Sequence, residues 1–181
     1  ERALVQAKTH FVQRLQTVGG FGGKSDQLNA YNTFLGRPDY FAEDLSRYER
    51  VTKASLHEQA GRMAWRGARA TDARALLEGA AAVYESEGLT QRAARVSSVL
   101  ADIDYRDGHP PAAVARLEAT LEALEGVEPD EVVAEVAAQL GRFLVLNRQY
   151  DLAAPRLEVA LELSEALRLP EVFAQALTSK S

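Results

Sequence analysis

The chain is 181 residues long, carries a formal net charge of −5 and contains no cysteine. That length supports one or two domains with a sizeable core, and the missing thiols exclude disulfides and thiolate metal sites. No basic stripe, no apolar run of membrane-spanning length and no signal peptide is visible, so nucleic acid and membrane are not expected partners and the expected location is cytoplasmic. Charge is unevenly spread: residues 1–64 hold nine Lys and Arg against seven Asp and Glu, whereas residues 65–181 hold twelve against nineteen.

Helix signals follow one another along the chain. Leu4, Phe11, Val12 and Leu15 fall at i, i+7, i+8 and i+11, the spacing of an amphipathic helix. Gly19-Gly20-Phe21-Gly22-Gly23 ends it. Ser25-Asp26 is placed to cap a helix to about Leu35, Pro38 to start one reaching about Tyr48, and Thr52 to cap the next. Thr71-Asp72 is placed to cap a helix to about Glu85, closed by Gly88, and the next runs from about Thr90 to Arg106, stopped by Asp107-Gly108. Pro110-Pro111 opens a helix to about Glu125, ended by Gly126. Pro129-Asp130-Glu131 opens another to about Leu146, with acids favourable in its first turn. A helix from about Asp151 to Leu167 follows, and Pro170-Glu171 starts the last. Pro155 cannot donate the bond expected of a residue that deep in a helix, so this helix either starts late or bends. The first residue already reads as helical, so a native N-terminus is expected further upstream. With no alternating run to suggest a strand, the expected fold class is all-α.

One register recurs every 40 positions. Ala73, Leu77 and Ala80 are matched by Ala113, Leu117 and Thr120, then by Ala153, Leu157 and Ala160. Ala60-Gly61, Leu100-Ala101 and Leu140-Gly141 keep the same step just upstream. A fixed period of this size signals stacked supersecondary units. The i, i+4, i+7 spacing places each set on one helical stripe. Each unit therefore reads as two antiparallel helices, with Ala or Gly at their close crossing and Leu filling the gap.

The stretch from Leu140 to Leu163 resembles a tetratricopeptide repeat, through Leu140, Gly141, Tyr150, Ala153, Leu157 and Ala160 in order. The preceding unit keeps Leu100, Gly108, Ala113 and Leu117 but has Ala101, Pro110 and Thr120 at the other sites. The earliest keeps Gly61, Ala73, Leu77 and Ala80. Because the step of 40 exceeds the usual ~34, the likeness is to the longer-helix variety of bacterial regulatory ATPases and transcriptional activators. It implies a right-handed solenoid of stacked helix pairs over residues 53–181, about three repeats plus the first helix of a fourth. Residues 1–52 would form a small helical segment before it. That segment resembles part of an insulinase-type (pitrilysin-like) zinc metallopeptidase domain: a long helix, a Gly-rich turn, two short helices, and a helix opened by Val51-Thr52. The peptidase motif H-x-x-E-H is missing, since His10, His57 and His109 do not form it. A non-catalytic portion is therefore implied, joined near Gln59 to Trp65 to the repeats; a natural fusion, a gene-prediction artefact and an engineered joining all fit.

Three near-motifs have simpler readings. Gly23-Lys24-Ser25 ends like a phosphate-binding loop, but Val18 stands where that loop needs Gly, and a helix precedes it in place of a strand. His57-Glu58 begins like H-E-x-x-H, yet Gly61 occupies the second histidine's place. Asp102, Asp104 and Asp107 resemble a cation loop only in charge. No Gly-x-Ser-x-Gly elbow exposes a nucleophile, so the chain is read as non-enzymatic, without metal or cofactor.

If the repeats stack, the first helix of each pair lines a concave face. Residues one and four positions after the small step then face it: Arg62, Trp65, Asp102, Tyr105, Arg142 and Val145, with Arg66, Arg95, Ser98, Arg106 and Glu135 beside them. Arginines to pair carboxylates and rings to anchor suit an extended peptide. The Lys and Asn clamp of chaperone-binding repeats is absent, with Glu58, Ser98 and Ala138 at one of its levels. The expected function is a non-enzymatic scaffold binding a peptide or partner protein. The alternatives are a non-catalytic fragment of an insulinase-type peptidase, or a regulatory segment of a larger ATPase or transcriptional activator. Phe173, Ala174 and Leu177 repeat the register of Val133, Ala134 and Ala137, so an open apolar end is expected to support self-association.

Overall fold

The computed structural model describes residues 2–17, 23–126 and 128–180. Residues 19–22 of the glycine-rich turn and the Leu15 side chain lie outside the described set. Among the described residues there are ten helices and no strand: α1 (Arg2–Gln16), α2 (Lys24–Leu35), α3 (Phe41–Glu49), α4 (Lys53–Arg66), α5 (Ala70–Ser86), α6 (Thr90–Arg106), α7 (Pro110–Ala123), α8 (Glu131–Leu146), α9 (Tyr150–Ala166) and α10 (Pro170–Lys180). The chain divides into two compact units, Glu1–Leu56 and His57–Ser181, with the division inside α4. None of the described helices is long and apolar enough to cross a membrane.

In the first unit α1 packs on α2 and α3. Phe11 is the buried member of the α1 stripe among the described side chains, stacked at 5.6 Å on Phe41 and 4.3 Å on Tyr48. Leu4 is half-buried, whereas Val12 is exposed, so the stripe is narrower than its spacing suggests. The Tyr31 hydroxyl donates to Asp44 at 2.6 Å; burial first, then that bond to a carboxylate, pushes the phenol up to about 12. Two expected helix starts are corrected. Gly23 is the N-cap of α2, which puts Ser25 and Asp26 inside its first turn. Pro38 occupies the second position of a turn closed by the Tyr40 N–H on the Arg37 carbonyl at 3.2 Å, where its fixed φ is favoured, and α3 begins only at Phe41. Thr52 does cap α4: the Ser55 N–H donates to its hydroxyl at 3.1 Å, and the Ser55 hydroxyl accepts from the Thr52 N–H at 3.0 Å.

The second unit is built on one turn used five times. Ala68, Gly88, Gly108, Arg148 and Arg168 have left-handed backbones, with φ from 57° to 85°. In each turn the N–H of the next residue reaches back to the carbonyl five positions earlier, as from Arg69 to Ala64 at 2.9 Å and from Leu169 to Ser164 at 2.8 Å. This is the Schellman ending of a helix. The turns stand 20 residues apart, except where residues 124–130 make a longer link between α7 and α8. Because the turn leads directly into the next helix, α5 starts at Ala70 behind Arg69, and Thr71-Asp72 lies within its first turn, with Asp72 pairing Arg69 at 3.7 Å. Only after the longer link does a side chain cap a second-unit helix in the expected way: Asp130 accepts from the N–H groups of Val132 and Val133 at 2.9 and 3.2 Å.

Consecutive helices pack from α5 through α10, and α8 also packs on both α6 and α10. All nine residues of the 40-residue stripe are buried, none more than 7% exposed. Thr120 is tolerated at an alanine site because its hydroxyl donates to the Arg116 carbonyl at 2.7 Å. Upstream, Leu100 and Leu140 are buried, whereas Ala60 is exposed. The close crossings are real at two glycines. A Cβ added to Gly61 would lie 2.7 Å from Leu77 Cγ, and one on Gly141 would lie 2.6 Å from Leu157 Cγ. Pro155 is inside α9, which starts at Tyr150 and therefore does not start late. Its ring is on the exposed side, so the bond that proline cannot make lies at the surface and not in the core. At the far end Ala174 and Leu177 are exposed and Phe173 half-buried, although their register mates Ala134 and Ala137 are fully buried.

Candidate functional site

A polar groove of about 720 Å³ runs across the second unit, lined by residues of α4, α6, α8 and α10. These are alternate helices, and the lining positions repeat in the 40-residue register: Gln59, Val99 and Gln139; Arg62, Asp102 and Arg142; Arg95, Glu135 and Gln175. Small residues at Gly61, Ala101 and Gly141 let each lining helix approach the helix behind it, which turns the opposite stripe toward the groove.

Of the residues singled out from the sequence, Arg62, Arg66, Arg95, Ser98, Asp102, Glu135 and Arg142 line this groove, whereas Trp65, Tyr105 and Arg106 do not. The geometry explains the difference. A step of three residues from Arg62 or Asp102 turns about 60° to one side of the stripe. Tyr105 accordingly stacks on Phe143, with ring centroids 4.5 Å apart and planes 12° from parallel. Val145 likewise packs against the buried clusters. Arg106 places its guanidinium 5.0 Å from the Trp65 ring centre, a cation–π contact that holds both away from the groove. The aromatic anchors expected for a peptide are therefore not groove groups.

Most groove charges neutralise one another. Arg62 Nε pairs Glu58 at 3.0 Å, and the same carboxylate accepts from the Tyr84 hydroxyl at 3.0 Å. Burial first, and the bond to Glu58 second, raise the Tyr84 phenol above its usual range. Arg95 pairs Glu131 and Arg142 pairs Asp102, each at 3.0 Å. Bonds also tie neighbouring lining helices together: Arg62 donates to the Arg95 carbonyl at 3.4 Å, and Gln139 to the Ser98 carbonyl at 3.0 Å. The arginines expected to meet a ligand's carboxylates are largely engaged within the chain.

Glu135 is different. It is half-buried and makes no ion pair or side-chain hydrogen bond among the described residues. Burial raises its carboxyl above the ordinary glutamate range, assisted by the charges of Glu131 and Asp130 and opposed by those of Arg95 and Arg62. Two further lining atoms, Ser98 Oγ and Arg142 Nε, are buried without a hydrogen-bond partner. Unsatisfied buried polar atoms are uncommon. Those two buried atoms and the unpaired Glu135 carboxylate lie along the same groove.

The near-motifs have structural roles here. Asp104 is buried between Arg74 and Arg116, at 2.6 and 2.8 Å, while Asp107 pairs the same Arg74 at 3.0 Å and Asp102 faces the groove. Burial works to raise the Asp104 carboxyl, but the bonds and charges of Arg116 and Arg74 outweigh it and hold the group below its usual range. Among the described residues no cluster of three or more His, Cys, Asp or Glu side chains is arranged around a common point for a metal. The lining residues that sequence reasoning passed over as site residues, such as Gln59, Glu131, Gln139 and Gln175, were signalled only by the 40-residue register itself.

The chain matches no family model, no curated protein and no solved structure.

Proposed function

We propose that residues 57–181 form a tetratricopeptide-like right-handed stack of antiparallel helix pairs. In this reading the unit is a non-enzymatic scaffold that holds an extended segment of a partner protein in the groove. The observation that carries it is the lining: alternate helices α4, α6, α8 and α10 contribute side chains from equivalent positions of one register. A ligand lying across them meets repeating rows, which is how stacked repeats build an extended surface. The volume falls within the ~300–1,000 Å³ of ligand clefts, and its polar lining suits a peptide's amides better than an apolar small molecule.

The test is residue-level mapping of a bound peptide. Peptides selected from a random library against the full chain are titrated into isotope-labelled protein, and amide shift changes are recorded. Changes concentrated on α4, α6, α8 and α10 are expected. Changes confined to α5, α7 and α9, or to residues 1–56, would reject the groove as the site.

A further inference from the structure

Resting on the groove reading, we infer that the ligand is a basic segment, with one lysine or arginine side chain seated on Glu135. Glu135 and Glu171 are the lining carboxylates that make no ion pair among the described residues, and of the two only Glu135 is half-buried. Glu58, Glu131 and Asp102 around it are held by Arg62, Arg95 and Arg142 at 3.0 Å each. These pairs commit three of the four lining arginines to other carboxylates, and the fourth, Arg66, is exposed. A half-buried carboxylate keeps only part of its hydration, and an ammonium or guanidinium from outside adds charge-assisted bonds to it.

The wider field agrees in sign. The groove lining holds four arginines against five carboxylates, and residues 57–181 hold thirteen Lys and Arg against twenty Asp and Glu. Such a surface attracts cationic segments at long range and disfavours acidic ones. Arg142 lies two helical turns from Glu135 on α8, about 10 Å along its axis. Asp102 already balances the charge of its guanidinium, so an acidic side chain of the segment gains nothing there. About three residues of extended chain cover that distance. A basic side chain therefore serves Glu135 while the chain beyond it passes Arg142 without needing a second charge.

The experiment uses the full chain and a displayed library of random peptides of about twelve residues, followed by fluorescence titration of the enriched sequences against wild type and Glu135→Gln. Fold retention is checked by circular dichroism and unfolding midpoint. Enrichment of Lys or Arg at one position is expected, with affinity for that peptide falling about 10-fold or more in Glu135→Gln and little change when the basic residue is already replaced by norleucine. Peptides that enrich without a basic preference, or whose affinity is the same for Glu135→Gln, overturn this inference and leave the groove reading standing. Failure of wild type to retain any peptide overturns both.

Discussion

Replacing Gly141 by alanine probes the tightest crossing of the second unit. A Cβ there lies 2.5 Å from Leu157 Cδ2, 2.6 Å from its Cγ and 3.4 Å from its backbone nitrogen. Rotation about the Leu157 Cβ–Cγ bond leaves Cγ in place, and at 2% exposure the packed surroundings leave no room for the whole side chain to swing about Cα–Cβ. Helix α9 has to move off α8. Overpacking a core costs about 1–3 kcal/mol, and alanine in place of glycine inside a helix returns about 1 kcal/mol. The expected net loss is therefore about 1 kcal/mol. Leu157→Ala alone should cost about 2–5 kcal/mol through lost burial and a residual void. In that background the obstacle is gone, so Gly141→Ala should become stabilising by about 1 kcal/mol. The sign reversal amounts to a coupling of about 2 kcal/mol, well above the error of additivity for independent sites. Urea unfolding of the four proteins, followed by circular dichroism, measures it. If Gly141→Ala has the same sign and size in both backgrounds, the direct contact between these positions is refuted.

Three further outcomes are expected. Asp104→Asn should cost about 3 kcal/mol, the lower end for breaking a buried pair because Arg74 and Arg116 remain partly hydrated. Since the folded Asp104 carboxyl is held below its usual 3.8, its contribution is complete above that value and is lost as the pH falls through the folded pKa. Wild type should therefore lose more stability than Asp104→Asn as the medium is acidified below about pH 4, and parallel acid-unfolding curves would contradict this. Arg148→Gly relieves a left-handed backbone at φ 61° in a turn where Gly88 and Gly108 hold the equivalent place, and should raise the unfolding free energy by about 0.5–1 kcal/mol; a lowered urea midpoint would count against the repeated turn. Asp130→Ala removes the acceptor for two N–H groups at the start of α8 and should cost about 1 kcal/mol by the same assay.

Local periodicity determines the helical character and the buried stripe of this chain. The buried stripe from Ala73 to Ala160, the glycines at the close crossings and the order of the helices follow from which residues a helical turn places on one face. Turn chemistry was only partly legible. The Schellman turns recur every 20 residues, but Ala, Gly, Gly, Arg and Arg occupy the left-handed position, because the backbone bonds fix the turn and the side chain only modulates its cost. Side-chain partners were not legible at all. Arg74 and Arg116 close on Asp104 from positions 30 and 12 residues away, and Arg106 turns to Trp65 although its stripe position alone favours the groove. Sequence names the charges on a helical face, but tertiary packing decides which of them neutralise each other. For that reason Arg62, Arg95 and Arg142, named from the sequence as groups for a ligand, are engaged within the chain, whereas Glu135, named beside them, makes no ion pair among the described residues.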